Sequence, residues 1–480
     1  MNLHRCIVVL AALLASICLL DEIHAGARAI AEARVEDGKL IEVIVSNGGS
    51  GYVIPPEIHL CGSGTGAELR AQIENGSVVG VEVLVAGIQY QTPPQVIVDG
   101  PPPRLTASRE QYNIVIHVHD SFDGQGRILS SNTFEHRRGG KEVATVLSDG
   151  RNPLKVSVPI GNEPQRYFWY ESVVASPSGM GSDFVRIPEG NFQMGNPFEN
   201  EGDSFGPWWS DSEKPVHTVY VSEFFIEKYE VTQELWESVK EWALSHGYEF
   251  SGYTGEANEA REPIRAVTWF DAVKWCNARS EMDGLSPVYF LEAEHTTIFR
   301  KGVFHLYPAN VDWCGSGYRL PTEAEWEKAA RGGLKGKRFP WGNTITEKDA
   351  AFDVPSWSYH PWDRFTEWLE RDYRPYKPVG SFPANDYGLY DMIGNASEWC
   401  WDWWYPAWYP RPEATLKDTP GPSFAFAPNR VIRGGSAGYD PDTDRLRVSS
   451  RHTFPVAFDF FTGRIFSVES GVGFRCVRRR

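Results

Sequence analysis

All but Trp169 of the 18 tryptophans lie beyond Asp183, in a stretch where Gly-rich turns recur. Tryptophan carries the largest apolar ring of any residue and an indole N–H that needs a partner once buried. A segment with so many large rings and so many turns calls for one sizeable core under many loops. With 45 Gly and 33 Pro in 480 residues, the chain suits a loop-rich fold yet stays below the disordered range. A chain of 480 residues also exceeds what a single core supports, so several domains are expected. The net charge of −16, with one short basic run at Arg478-Arg479-Arg480, argues against a nucleic-acid partner.

Residues 1–25 have the pattern of a secretory signal: Arg5, an apolar run from Cys6 to Leu20 broken only by Ser16, then Ala25 before Gly26. The run is short for a membrane span, and no later segment is apolar enough to be one, so no transmembrane anchor is expected. The expected location is secreted or periplasmic. Five cysteines would remain after cleavage: Cys61, Cys276, Cys314, Cys400 and Cys476. An exported setting permits disulfides, and an odd number leaves at least one thiol over.

Residues 26–104 contain two copies of one pattern. Ala33-Arg34-Val35-Glu36-Asp37-Gly38 matches Ala71-Gln72-Ile73-Glu74-Asn75-Gly76, and Tyr52 and Pro55-Pro56 match Tyr90 and Pro93-Pro94 at the same offset. Each Asx-Gly pair predicts a turn into a strand, over Leu40–Val45 and Val79–Val85. The Pro-Pro pairs predict strand edges, because proline lacks the N–H that pairing needs. The pattern resembles short β-repeats of bacterial exported and phage-tail proteins. A packing role for Tyr52 and Tyr90 outweighs a binding one. Residues 105–180 alternate like strands at Asn113–Asp120, Ala144–Leu147 and Leu154–Val158, which predicts a small β-sandwich-like domain. His117 and His119 share one strand face, but no third ligand is near them in sequence, so a solvent-facing strand is the better reading.

Residues 181–480 form the fourth segment. Phe184–Gly195 predicts a hairpin around Pro188-Glu189-Gly190. Helices are predicted from Thr232, from near Thr268, and from Thr322. The last is the clearest: Thr322 and Glu325 make a capping box, and Gly332 ends it. Five blocks follow in order: Arg319-Leu320-Pro321-Thr322-Glu323-Ala324-Glu325-Trp326-Glu327; Phe339-Pro340-Trp341-Gly342-Asn343; Asp386-Tyr387-Gly388-Leu389-Tyr390-Asp391-Met392-Ile393-Gly394-Asn395 with Glu398-Trp399; Arg433-Gly434-Gly435-Ser436; and Gly473-Phe474-Arg475-Cys476.

Together these blocks resemble the formylglycine-generating enzymes, the sulfatase-modifying factor family. The resemblance implies an α+β fold of C-type-lectin-like form, here preceded by small all-β modules. It implies a structural Ca²⁺ held by Asp391, Gly394, Ala396 and Glu398, a donor set of carboxylates and carbonyls that suits this hard ion. It also implies a disulfide between Cys276 and Cys476. A second calcium site of the family has no clear match here, where Asp353 and Asp363 lie in a Trp-rich stretch.

The family's enzymes oxidise a substrate cysteine with two copper-binding cysteines shortly after Arg-Gly-Gly-Ser. Here no cysteine occurs between Trp401 and Arg475, and Tyr439 stands where the first would be. Hydroxyls and carboxylates cannot replace soft thiolates, so copper is not expected and cysteine-dependent formylglycine generation is disfavoured. Tyr439, Asp440, Asp442 and Asp444 instead suggest an acidic, aromatic surface for a protein or glycan ligand at the cell surface. Trp403 and Trp404 could add a sugar-stacking platform, set against a packing role for the whole Trp401–Tyr409 run. The expected function is a non-catalytic or divergent binding module. The competing reading is a metal-dependent oxidoreductase or protein-modifying enzyme that uses other ligands.

Overall fold

A computed structural model describes the chain outside residues 1–6, 11–27, 53–54, 63, 89, 91–92, 100–103, 111–112, 120–124, 132–140, 148–153, 160–165, 174–182, 199–212, 252–254, 256, 353–375, 424–427, 439–442, 457–470 and 480. At 7–10 and from 104 to 173 the description is of strand backbone alone. The chain divides into two compact units, residues 1–61 with 67–180, and residues 181–480 with 62–66.

The first unit is all-β among the described residues. Its repeat forms one six-stranded sheet, ordered Ile58–Cys61, Gln95–Val98, Ile30–Glu36, Lys39–Asn47, Ser77–Ile88, Thr65–Glu74. Both Asx-Gly turns take left-handed geometry, at Asp37 (φ 50°) with Gly38 (71°) and Asn75 (48°) with Gly76 (80°). Asn and Asp are the side-chain-bearing residues that best tolerate this region. The copies interlock reciprocally: Tyr52 N donates to Gly76 O at 3.0 Å, and Tyr90 N donates to Gly38 O at 3.1 Å. Both tyrosine side chains are buried in the sheet's core, which is the packing role expected of them.

The Pro-Pro pairs do not end the module. Each is a corner into a further strand, Ile58–Cys61 or Gln95–Val98, and these two pair with each other. Proline lacks only its own N–H, so the residues after it are free to join a ladder. The remaining strands form a sheet of Ile7–Leu10, Arg166–Val173, Gln125–Ser131 and Lys141–Leu147, and another of Leu154–Pro159, Asn113–His119 and Arg104–Glu110. Ile7–Leu10, inside the expected signal segment, is an edge strand on Arg166–Val173. The side chains of His117 and His119 lie outside the described residues.

The second unit mixes short strands with few helices. Among the described residues the α-helices are α1 (Gln233–Ser245), α2 (Trp269–Met282) and α3 (Glu323–Ala330). Thr232, Thr268 and Thr322 cap them, each hydroxyl accepting from the N–H three residues on. Only α1 keeps a solvent face. Every residue of α2 from Trp269 to Ser280 is buried, as is all of α3.

The hairpin expected over 184–195 does not form. Phe184–Ile187 pairs with Phe224–Glu227, whereas Gly190–Met194 pairs with His217–Val221. Gly190, at φ +133°, turns the chain out of one sheet and into the other.

Candidate functional site

The five sequence blocks meet around α3. Thr322 Oγ1 accepts from Glu325 N at 3.2 Å, and Glu325 Oε2 accepts from Thr322 N at 2.9 Å, which is the capping box. The same Glu325 receives both guanidinium arms of Arg319, at 2.6 and 2.7 Å. Glu327 receives Arg331 and, from the Arg-Gly-Gly-Ser block, Arg433, each at 2.6 Å. Glu323 accepts from Arg451 at 2.7 Å and from the Tyr409 hydroxyl at 2.9 Å. All are buried. Burial alone would push the Glu325 and Glu327 carboxyls up; the surrounding guanidinium charges reverse this, lowering Glu325 and holding Glu327 down at about 2. Lys328 shows the opposite case: burial pushes its amine down to about 8 while it donates to Gly190 O and Val221 O.

A second charged cluster joins the Asp391–Glu398 loop to the terminal block. Glu398 lies in the buried strand Ser397–Trp403, beside Gly473 on one side and Arg433 on the other. Its carboxylate accepts from Arg475 Nη2 at 2.7 Å, from Arg475 Nε at 2.8 Å and from Trp326 Nε1 at 2.9 Å. Arg475 also donates to Asp391 O at 3.3 Å. Asp391 accepts Gly380 N at 2.7 Å. Sequence reasoning missed a third carboxylate, Glu230, which accepts Ala396 N at 2.8 Å and Asn395 Nδ2 at 2.9 Å. Its signal was slight, a lone Glu before the Thr232 cap.

Arg475 bonds the carboxylate of Glu398 and acts on those of Glu230 and Asp391 through its charge, and all three carboxylates are buried. Burial, then the charge of Asp391, drives the Glu230 carboxyl well above its usual range, and burial raises Asp391. Three buried carboxylates against one Arg leave an excess of negative charge, the environment that a divalent cation neutralises. Asp391 (φ 53°), Gly394 (74°) and Asn395 (57°) all take left-handed backbone, which makes this loop a tight coil.

The two cysteines expected to be bonded are brought together. Cys276 on α2 and Cys476 place their sulfurs 3.6 Å apart as buried thiols, in contact but not as the expected disulfide. Cys400 is a third buried thiol.

Trp403 and Trp404 require a correction. They are 3% and 5% exposed, and Trp401, Trp408 and Tyr409 are buried beside them. A ring enclosed in the core cannot stack on a sugar. Trp403 instead covers Arg430, whose guanidinium lies 3.5 Å from its ring centroid and 3.7 Å from that of Trp269. Along this strand Trp399, Trp401 and Trp403 alternate with Cys400 and Asp402, and both of its faces are covered.

Tyr439, Asp440 and Asp442 lie outside the described residues, as does the side chain of Asp444. The residues just before them in the chain, Ser436 to Gly438, are described. Tyr376 Oη is 3.1 Å from Ser436 Oγ, and the Arg265 guanidinium sits 3.7 Å from the Tyr376 ring centroid. Gly438 lies so close that an added Cβ would come within 2.5 Å of the Tyr376 hydroxyl. Neither Arg265 nor Tyr376 stood out in sequence, because nothing local links them to Ser436.

Residues 170–480 match the sulfatase-modifying factor enzyme 1-like domain model. Similar proteins include the "Chaperone protein LppX" of Paenibacillus barcinonensis, 38% identical over 193 residues, covering 38% of this chain and 64% of that one. The formylglycine-generating enzyme of Thermomonospora curvata is 32% identical over 288 residues, covering 58% of this chain and 89% of the enzyme. The bovine "Inactive C-alpha-formylglycine-generating enzyme 2" is 31% identical over 236 residues, covering 46% of this chain and 71% of that one. The chain therefore spans just under two thirds of the chaperone's length. No helix among the described residues is long and apolar enough to cross a membrane.

Proposed function

From the premise that this chain belongs to the sulfatase-modifying factor enzyme family over residues 170–480, we propose that it is an exported binding protein with a C-type-lectin-like domain that has exchanged its redox site for a recognition surface. The observation that carries the reading is a contrast within one domain. Arg319 with Glu325, Arg433 with Glu327, and Arg475 with Glu398 are paired and buried, yet no cysteine occurs between Trp401 and Arg475. Selection for the fold alone would keep the first and dispense with the second. Tyr439, Asp440, Asp442 and Asp444 supply the surface, three to eight residues beyond the Ser436 that Tyr376 contacts. The ligand class is a protein segment or glycan at the cell surface. Two relatives bear names that agree with binding or loss of activity, a chaperone and an inactive paralogue.

In this reading calcium is structural. Asp391 and Glu398 would hold it, with Gly394 and Ala396 contributing backbone oxygen and Glu230 adding charge from behind. The ion offsets the carboxylate excess and fixes the loop that leads into the Ser397–Trp403 strand. It takes no part in chemistry.

The test is to incubate the purified, copper-loaded protein with a sulfatase-type cysteine peptide under oxygen and follow the peptide by mass spectrometry. No formylglycine should form, whereas turnover would overturn the proposal. In parallel, a Y439A/D440N double variant should lose glycan-array or peptide-display binding at least tenfold while keeping its melting temperature.

A further inference from the structure

The repeat sheet carries a group of side chains that the recognition reading leaves unused. Ile58–Cys61 and Gln95–Val98 pair antiparallel, with Ile58 opposite Val98 and His59 opposite Ile97. That register sets Glu57 opposite Asp99, and Asp99 N donates to Glu57 O at 2.9 Å. Side chains alternate along a strand, so Glu57, His59 and Asp99 share one face. Ile58, Leu60 and Val98 point the other way, into the core. A carboxylate oxygen of Glu57, a ring nitrogen of His59 and a carboxylate oxygen of Asp99 all lie within 4.8 Å of one another, each residue half-buried. His59 Nε2 is 3.3 Å from Asp99 Oδ1.

We propose that Glu57, His59 and Asp99 form a site for a divalent transition-metal ion, with Zn²⁺ as the reference occupant. The donor set is one imidazole nitrogen and two carboxylate oxygens on one side of a sheet, which leaves outer positions for water. Such a mixed N/O set suits Zn²⁺ or its first-row neighbours. Calcium, which takes six or more oxygens, has a nitrogen at one corner here. With metal–ligand bonds of about 2.1 Å, tetrahedral ligand atoms stand roughly 3.4 Å apart, so side-chain rotation closes the observed spacing without backbone movement.

The repeat itself gives independent support. At the offset that carries Tyr52 onto Tyr90, Glu57 corresponds to Gln95, His59 to Ile97, and Asp99 to Cys61. Both copies build the same strand, so the fold requires none of these three ligands. They collect on one face only because the two copies differ and pair antiparallel. Cys61, the counterpart of Asp99, is disulfide-bonded and does not compete for the ion. Asp99 is also held in place: Tyr52 Oη donates to its carbonyl at 3.0 Å and accepts Ala29 N at 2.8 Å.

The plain rival is a surface His–carboxylate pair with no ion. To separate the two, the full-length protein, stripped with chelator, is titrated with Zn²⁺ by calorimetry and with Co²⁺ by visible absorption. Wild type should bind one equivalent of Zn²⁺ more than His59→Gln, and the matching Co²⁺ ligand-field bands should disappear in that variant. Glu57→Gln and Asp99→Asn should each weaken the same event at least tenfold. Unchanged circular dichroism and melting of the metal-free variants certify the fold, and the two carboxamide variants carry the test if His59→Gln misfolds. Equal zinc stoichiometry and affinity in wild type and all folded variants, or occupancy by Ca²⁺ alone, overturns the proposal.

Discussion

Glu327 shows how far one residue can depart from its sequence reading. In the chain it is an ordinary glutamate of a helix; in the fold it lies wholly buried between Arg331 and Arg433. Its folded pKa, about 2, lies below the roughly 4.3 of an unfolded glutamate. The stability it contributes is complete above pH about 4.3 and is lost as pH falls toward 2, on the order of 3 kcal/mol in all. Glu327→Gln should therefore cost about 3–5 kcal/mol at neutral pH, because two guanidinium groups lose their counter-charge. Urea denaturation at pH 7 and pH 3 checks both parts, since the penalty should shrink at the lower pH. Glu230 has the opposite sign. Its folded pKa is raised, so wild type loses stability relative to Glu230→Gln as pH climbs above about 4.3. That difference should be visible in chelator and should narrow when calcium is added. Melting curves with and without calcium decide it.

Among the elements, α3 was the most legible. Its cap, its capping box and its Gly stop are local signals, and local backbone geometry obeys them. The charge pairing of α3 was not legible, because Arg433 comes from a block more than a hundred residues away in the chain. The hairpin expected over 184–195 failed for a related reason. A Pro/Gly turn shows where the chain bends, but not which strand it meets next. The strand Ser397–Trp403 has no solvent face, so its alternating tryptophans were ambiguous until its neighbours were placed. Trp403→Ala should destabilise by about 3–5 kcal/mol, as for other buried rings, and leave glycan-array signals unchanged. A loss of ligand binding with unchanged stability would restore Trp403 to the surface. The calcium loop makes a matching prediction. Asp391→Asn should remove the calcium-dependent rise in melting temperature, which in wild type corresponds to about 2.7 kcal/mol at a hundredfold excess over Kd.

At the scale of the whole molecule, the Cys276–Cys476 contact joins α2 to the terminal block. Closing it as a disulfide would tie together residues 200 apart, worth roughly 5 kcal/mol by chain entropy. Burial also raises the Cys476 thiol well above its usual range, which slows exchange with external reductants. Protein from an oxidising compartment should therefore give a Cys276–Cys476 linked peptide in non-reduced mass mapping. Reduction under mild denaturant should lower its unfolding midpoint. Recovery of both cysteines as free thiols from oxidised protein would contradict this.

The chain alone determined the features set by local chemistry: the Asx-Gly turns of the repeat, the threonine caps, the five ordered blocks, and the absence of the cysteines that the family's chemistry needs. These depend on backbone preference and residue identity, which need no distant partner. Tertiary structure decided what depends on encounters between distant segments. It showed that the Pro-Pro corners lead into a pairing of the two copies, that the block carboxylates and arginines neutralise one another in the core, and that Trp403 and Trp404 are enclosed. It also placed Glu57, His59 and Asp99 on one face. Burial and charge balance are properties of neighbours in space, and sequence order does not state which residues those neighbours are.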